Sequence, residues 1–263
     1  MLRIRLYRER ILFLVAVSVL SSLLLTFIAV QALLDNLFLN QLQSFYFMYD
    51  MTDALSVILQ MIPFTIFIVS MSGIFKLGIK TELTYYFTRE QNLKKWFFKK
   101  FFVLVVLSLL TLGVFQIVGI VFLYIYSGES AEALRNTFLP NFYVFLLAWL
   151  FVFTFSLLIN MLSLYVPAKV LLPLFVFAIF LLGLHYVYEK TAGVYVSINP
   201  ITHFFFKNHV EYLDYAPLED ATIVIPGLMT WHSVMFFLII IAVITLIGYW
   251  KIKRTDLGLL LED

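Results

Sequence analysis

Six stretches of this chain contain no Asp, Glu, Lys or Arg: Ile11–Leu34, Ala54–Phe75, Phe101–Tyr126, Phe142–Tyr165, Val170–Val187 and Ser233–Trp250. A hydrocarbon layer of about 30 Å is crossed by roughly 20 helical residues. Inside it, only helices and closed barrels satisfy their own backbone. Composition agrees, since 63% of the 263 residues are hydrophobic and only 13% are charged. A soluble chain of this size has no surface for so much Phe and Leu. The expectation is an all-α integral membrane protein, one domain over residues 1–263 with six transmembrane helices. "VPAK" separates the fourth and fifth runs, and its Pro167 favours a break there.

Charge position sets the orientation. With the N-terminus in the cytoplasm, the inner segments are 1–10, 76–100, 166–169 and 251–263. They carry four, seven, one and three Lys/Arg, so 15 of the 18 lie inside. Only Arg135, Lys190 and Lys207 fall outside, with ten of the 16 acidic residues. Cytoplasmic loops of membrane proteins carry this excess of Lys and Arg, so both termini are expected there. The first run is too long for a signal peptide and no small-residue cleavage site follows, so it reads as a retained anchor. No internal repeat or low-complexity linker is present.

Several chemistries lack their residues. There is no Gly-Lys pair, so no phosphate-cradling GxxxxGK[ST] loop. HExxH and GxSxG are absent too. With no cysteine, thiolate chemistry and Cys-bound metals are excluded. The one ionisable residue at membrane depth is His185, near the outer end of the fifth run beside Tyr186 and Tyr188. An interfacial histidine is the simpler account of it than an ion relay. His203, His209 and Glu211 have the donor types for zinc, although loop polarity explains them equally. No metal, no catalytic residue and no nucleic-acid partner are expected.

Nine charged residues concentrate in Lys76–Lys100, around "KTELTYYFTREQNLKKWFFKK". Glu82, Tyr85, Tyr86 and Arg89 have the spacing of one helical face. Thr88 and Gln91 fit a capping box, with Glu90 between them, so a helix beginning at Thr88 is expected to run into the third span. On it, Leu93, Trp96, Phe97 and Lys100 share one side while Lys94 and Lys95 reach toward lipid phosphates. A loop that only fixed topology would account for the lysines. Glu82 beside two tyrosines fits docking of a soluble partner, and spacing alone leaves both readings open.

This stretch resembles the cytoplasmic loop of ABC-2-type transporter permeases, such as those of bacterial peptide and bacteriocin exporters. The family's loop carries a Glu, a short helix, a turn containing Arg, and Lys at the start of the next span. The resemblance implies a coupling helix between spans two and three, with Glu82 at the acidic position, Arg89 as the arginine and Lys99 or Lys100 as the lysine. Phe87-Thr88 stands where the family has a proline. "RIRLYRER", with Arg3, Arg5, Arg8 and Arg10, resembles the family's amphipathic connecting helix. "INPITHFFF" resembles its outer Asn-Pro segment, which implies an outer gate at Asn199, Pro200, Phe204 and Phe205. "GYWKIKRTDL" resembles its basic exit. The resemblance further implies a multi-pass permease in a bacterial plasma membrane, paired with a second copy or a sister permease. ATP and Mg²⁺ would be bound by a separate ATP-binding subunit, with no cofactor on this chain.

Within the spans, Pro63 lacks the donor of an interior helix bond and is a candidate hinge or a fixed bend. Gln60, Gln116 and Asn160 are expected to hydrogen-bond between helices. An uncharged, aromatic interior suits a hydrophobic or amphipathic cargo, either a membrane-active peptide or a lipid-linked molecule. The 44 residues from Glu189 to His232 read as a lid over the exit or a stabilising cap, with Ala221–Pro226 extended. Two other classes share this hydropathy: a membrane immunity or scaffold protein that transports nothing, and an intramembrane enzyme working through His203, His209 or Glu211.

Overall fold

A computed structural model describes residues 2–33, 54–78, 93–127, 138–192, 198–205, 208–211 and 224–254. These form α1 (Leu2–Leu33), α2 (Ala54–Ser70), α3 (Ile74–Gly78), α4 (Leu93–Ser127), α5 (Phe138–Leu162), α6 (Ala168–Ala192), α7 (Pro200–Phe204) and α8 (Thr230–Arg254). No strand occurs among the described residues. Four helices are long and apolar enough to cross a membrane, in the windows Leu93–Phe122, Asn141–Leu162, Ala168–Glu189 and Thr230–Lys253. They coincide with the third to sixth apolar runs.

The helices are longer than those runs because charge does not end a helix. Lys and Arg are good helix formers, and at a span's end their stems lie along apolar surface while the heads reach water. So α4 starts at Leu93 and α8 ends at Arg254. The α5–α6 break falls where Pro167 places it. α5 stops at Leu162, Ser163 Oγ donates to Asn160 O at 2.8 Å, and the Pro167 carbonyl accepts from Val170 N and Leu171 N at 3.0 Å.

The basic N-terminal segment and the first apolar run form one helix, α1, with no interruption at Arg10. The second run differs from its expected form. α2 passes Pro63 without a break, yet the helix stops at Ser70 and resumes at Ile74. Gly73 takes φ +73°, a left-handed conformation that favours glycine.

α5 lies at the centre. It packs against α2, α3, α4, α6, α7 and α8, and 67% of its crossing window is buried, against at most 33% in the other three. Aromatic edges hold this centre together. Phe204 of α7 sits 4.9 Å from Phe64 of α2 and 4.8 Å from Phe151 of α5, centroid to centroid. Phe115 of α4 closes on Phe64 and Phe67 at 5.8 and 5.7 Å. Aromatic pairs of this kind contribute about 0.5–1.5 kcal/mol each beyond area burial. Polar bonds also join the helices. Gln116 Nε2 donates to Asn141 O at 2.8 Å, Ser22 Oγ to Phe115 O at 2.6 Å, and Trp149 Nε1 to Ser108 Oγ at 3.0 Å.

α5 and α8 pack closely at Gly248. A Cβ there would lie 2.5 Å from Met161 Sδ and 3.1 Å from its Cγ. Gly248→Val is expected to cost about 1–3 kcal/mol by overpacking, measured by unfolding in detergent. Met161→Ala in the same chain is expected to recover part of that loss.

Candidate functional site

Three places are candidates for function, and two of them hold residues that sequence reasoning singled out. The first is the end of the bundle where α3 meets α4. Phe75 of α3 contacts Trp96 and Phe97 of α4 at 5.9 and 5.5 Å, and Phe97 contacts Tyr249 of α8 at 5.5 Å. The expected helix face is realised here: Trp96, Phe97 and Lys100 are buried, Leu93 is half-buried, and Lys94 and Lys95 are exposed. Lys100 is 1% exposed, whereas Lys99 is open, which separates the two candidate lysines. Lys251 adds a cation–π contact, 5.9 Å from the Tyr165 ring. Glu82, Tyr85, Tyr86, Thr88, Arg89 and Glu90 lie outside the described residues. The two ends of their segment are held together by the Phe75–Trp96–Phe97 contact.

The second place is the opposite end, around α7. Asn199 is its N-cap, with Oδ1 accepting from Ile201 N at 3.0 Å, and Pro200 occupies the first helical position, where no N–H is needed. Asn199 Nδ2 also donates to Leu182 O at 3.3 Å, tying α7 to α6. Phe204 and Phe205 are buried; Phe204 fills the aromatic centre and Phe205 packs 5.4 Å from Tyr186. All four candidate gate residues are therefore brought together, as a packed plug.

Sequence position had put Glu189 in a loop. The structure places it on the last turns of α6 with 2% exposure. Neighbours offset part of that burial: His185 Nδ1 lies 2.9 Å from Oε1, and Thr202 Oγ1 donates to Oε2 at 3.3 Å. His185 itself is 54% exposed, which agrees with an interfacial histidine. Asn208 completes this side, donating to Thr202 O at 2.8 Å and accepting from Tyr186 Oη at 3.0 Å.

Two buried histidines on the other side of α7 share one hydroxyl. His203 Nδ1 is 2.7 Å from Ser233 Oγ, His209 Nε2 is 2.6 Å from the same atom, and His209 Nδ1 is 3.1 Å from Phe205 O. A carbonyl only accepts, so His209 Nδ1 must carry a proton. With both rings neutral, Ser233 then donates to His209 Nε2 and accepts from His203 Nδ1–H. The His203 ring lies flat on Phe236, 4.0 Å away. Glu211 does not join the histidines; both its oxygens accept from Thr230 N, at 3.0 and 3.1 Å, at the start of α8. A carboxylate there stabilises the helix terminus. Among the described residues no three His, Cys, Asp or Glu side chains gather as a metal requires.

The third place is a groove of about 500 Å³ between α1, α2 and α6. Phe13 comes from α1, Met61, Ile62, Thr65, Ile66, Val69 and Ser70 from α2, and Val176, Ile179, Phe180 and Gly183 from α6. No charged side chain lines it, and the Thr65 hydroxyl already donates to Met61 O at 2.8 Å. Sequence reasoning missed this groove, because lipid-facing and groove-facing residues have the same chemistry. It also missed Ser233, which carries no signal without the fold.

Several apolar crossing helices packed around α5, with polar groups gathered at one end, define a multi-pass helical membrane protein. The chain belongs to the DUF2705 family, described as a protein of unknown function, whose profile matches residues 12–258. No curated protein and no solved structure matches it.

Ser233→Ala removes the group that both rings share. Leaving a buried partner unsatisfied costs about 1–3 kcal/mol, so lower thermal stability in detergent is expected, with Ser233→Thr closer to the native chain.

Proposed function

We propose that this chain is the permease subunit of an ATP-driven exporter for a hydrophobic or amphipathic cargo, a membrane-active peptide or a lipid-linked molecule. In this reading the chain crosses the membrane six times with both termini in the cytoplasm. Energy comes from a separate ATP-binding subunit docked on Glu82–Glu90 and on the N-terminal arginines. A second permease, either another copy or a sister chain, completes the pathway.

The observation that carries this reading is the charge-free groove between α1, α2 and α6. An apolar cleft of that size takes an alkyl chain or an apolar peptide face, and gives no ligands to a small ion. Two further features support it. The ends of segment 79–92 are fixed to each other through Phe75, Trp96 and Phe97, so a force on the segment reaches α3 and α4 together. The packed, mostly buried segment Asn199–Phe205 supplies a candidate for the outward gate.

Purification of the tagged chain in mild detergent tests the reading. An ATP-hydrolysing subunit is expected to accompany the native chain and to be released, or its activity uncoupled, by Glu82→Lys or Arg89→Glu. A chain that stays folded and emerges alone in every case overturns the reading and favours a membrane scaffold or immunity protein. Filling the groove with Ile66→Trp is expected to lower export at least tenfold while the ATP-hydrolysing subunit remains bound.

A further inference from the structure

The interruption between α2 and α3 leaves backbone groups without helical partners among buried residues, where unsatisfied groups are costly. One side chain answers them from another helix. Asn160 of α5 donates through Nδ2 to Met71 O at 2.8 Å and accepts through Oδ1 from Phe75 N at 3.3 Å. It thus caps the end of one helical piece and the start of the next. Nδ2 also donates to its own helix, at Ser156 O, 2.7 Å away, which holds the amide in place. Asn160 and Met71 are fully buried.

The break sits between two features already described. Val69 and Ser70, the last residues before it, line one end of the groove. Phe75, just after it, is part of the aromatic contact that fixes α3 to the start of α4. A continuous helix would move as one rod. Two pieces joined through Gly73, whose φ of +73° leaves ordinary helical geometry, can change angle at the cost of two side-chain hydrogen bonds.

We propose that the Met71–Gly73 break is a pivot pinned by Asn160, which makes Asn160 the positioning residue that transmits displacement of α3 to the groove. The proposal rests on the exporter reading for its use in transport. This pivot lies beyond Pro63, which sits inside α2.

The absence of cysteine lets spin labels be placed at will. Ile62→Cys with Lys76→Cys spans the break, about 21 Å along a helix at 1.5 Å per residue. Val106→Cys with Ile239→Cys, on α4 and α8, serves as a control for intact packing. Asn160→Leu is expected to broaden or shift the distance distribution of the first pair in the reconstituted chain and to leave the control unchanged. In cells, Asn160→Leu is expected to lower export about tenfold while the ATP-hydrolysing subunit still copurifies. An unchanged first-pair distribution overturns the pivot. So does a changed distribution with native export, because the motion then has no part in transport. If the control pair also changes, Asn160→Asp, which keeps the acceptor but loses the donor to Met71 O, replaces the leucine variant under the same criteria. If no ATP-hydrolysing subunit accompanies the native chain, the exporter reading fails and transmission fails with it, while the spin-label distances still decide whether Asn160 pins the break.

Discussion

Among buried apolar helices, a backbone group that leaves a helix must be met by another polar group. That constraint explains which polar residues are buried and where. Asn160 stands opposite the one interruption in α2 and α3 and bonds both of its sides. Gln116 reaches the carbonyl of Asn141 near the start of α5. Asn199 caps α7 and holds a carbonyl of α6. Ser18, Thr65, Thr111, Thr154 and Thr245 return their hydroxyls to carbonyls four residues earlier, which hides a donor without a partner helix. The amides join elements, whereas these five hydroxyls stay local.

Once polar demand is met, shape decides the rest. Lipid tails are as apolar as Leu, so association depends on close packing more than on the hydrophobic effect. Rigid rings suit that task, and Phe64, Phe67, Phe115, Phe151 and Phe204 meet mostly edge to face. Where a ring would be too large, Gly248 lets α8 close on Met161. The groove is the complement of this packing, a place where α1, α2 and α6 meet without filling the space between them.

Much of this was legible in the sequence. Four of the six charge-free runs coincide with helices long and apolar enough to cross, and Pro167 located a break. The spacing of Leu93, Trp96, Phe97 and Lys100 identified a buried face. The amides Gln116 and Asn160 were rightly expected to bond between helices. What escaped the sequence depended on partners far away along the chain. Gly73 is a local sign of the helix end at Ser70, but the amide that holds the break comes some 90 residues later. Glu189 reads as a solvated loop acid until Asn199 and Thr202 fold back beside it. His203 and His209 looked like zinc donors because Glu211 was close in sequence, but its carboxylate is engaged at the start of α8. The segment bearing Glu82 and Arg89 lies outside the described residues, so its reading rests on sequence and on how its ends are held.

The shared hydroxyl of Ser233 has a consequence for how α7 and α8 meet. Each donor in the row fixes the direction of the next, from His203 through Ser233 and His209 to the Phe205 carbonyl. Reversing any one member while the rings stay neutral leaves two hydrogens or two lone pairs facing each other. Members of such a row polarise and strengthen one another. One hydroxyl thus ties the order of both rings to the contact between α7 and α8.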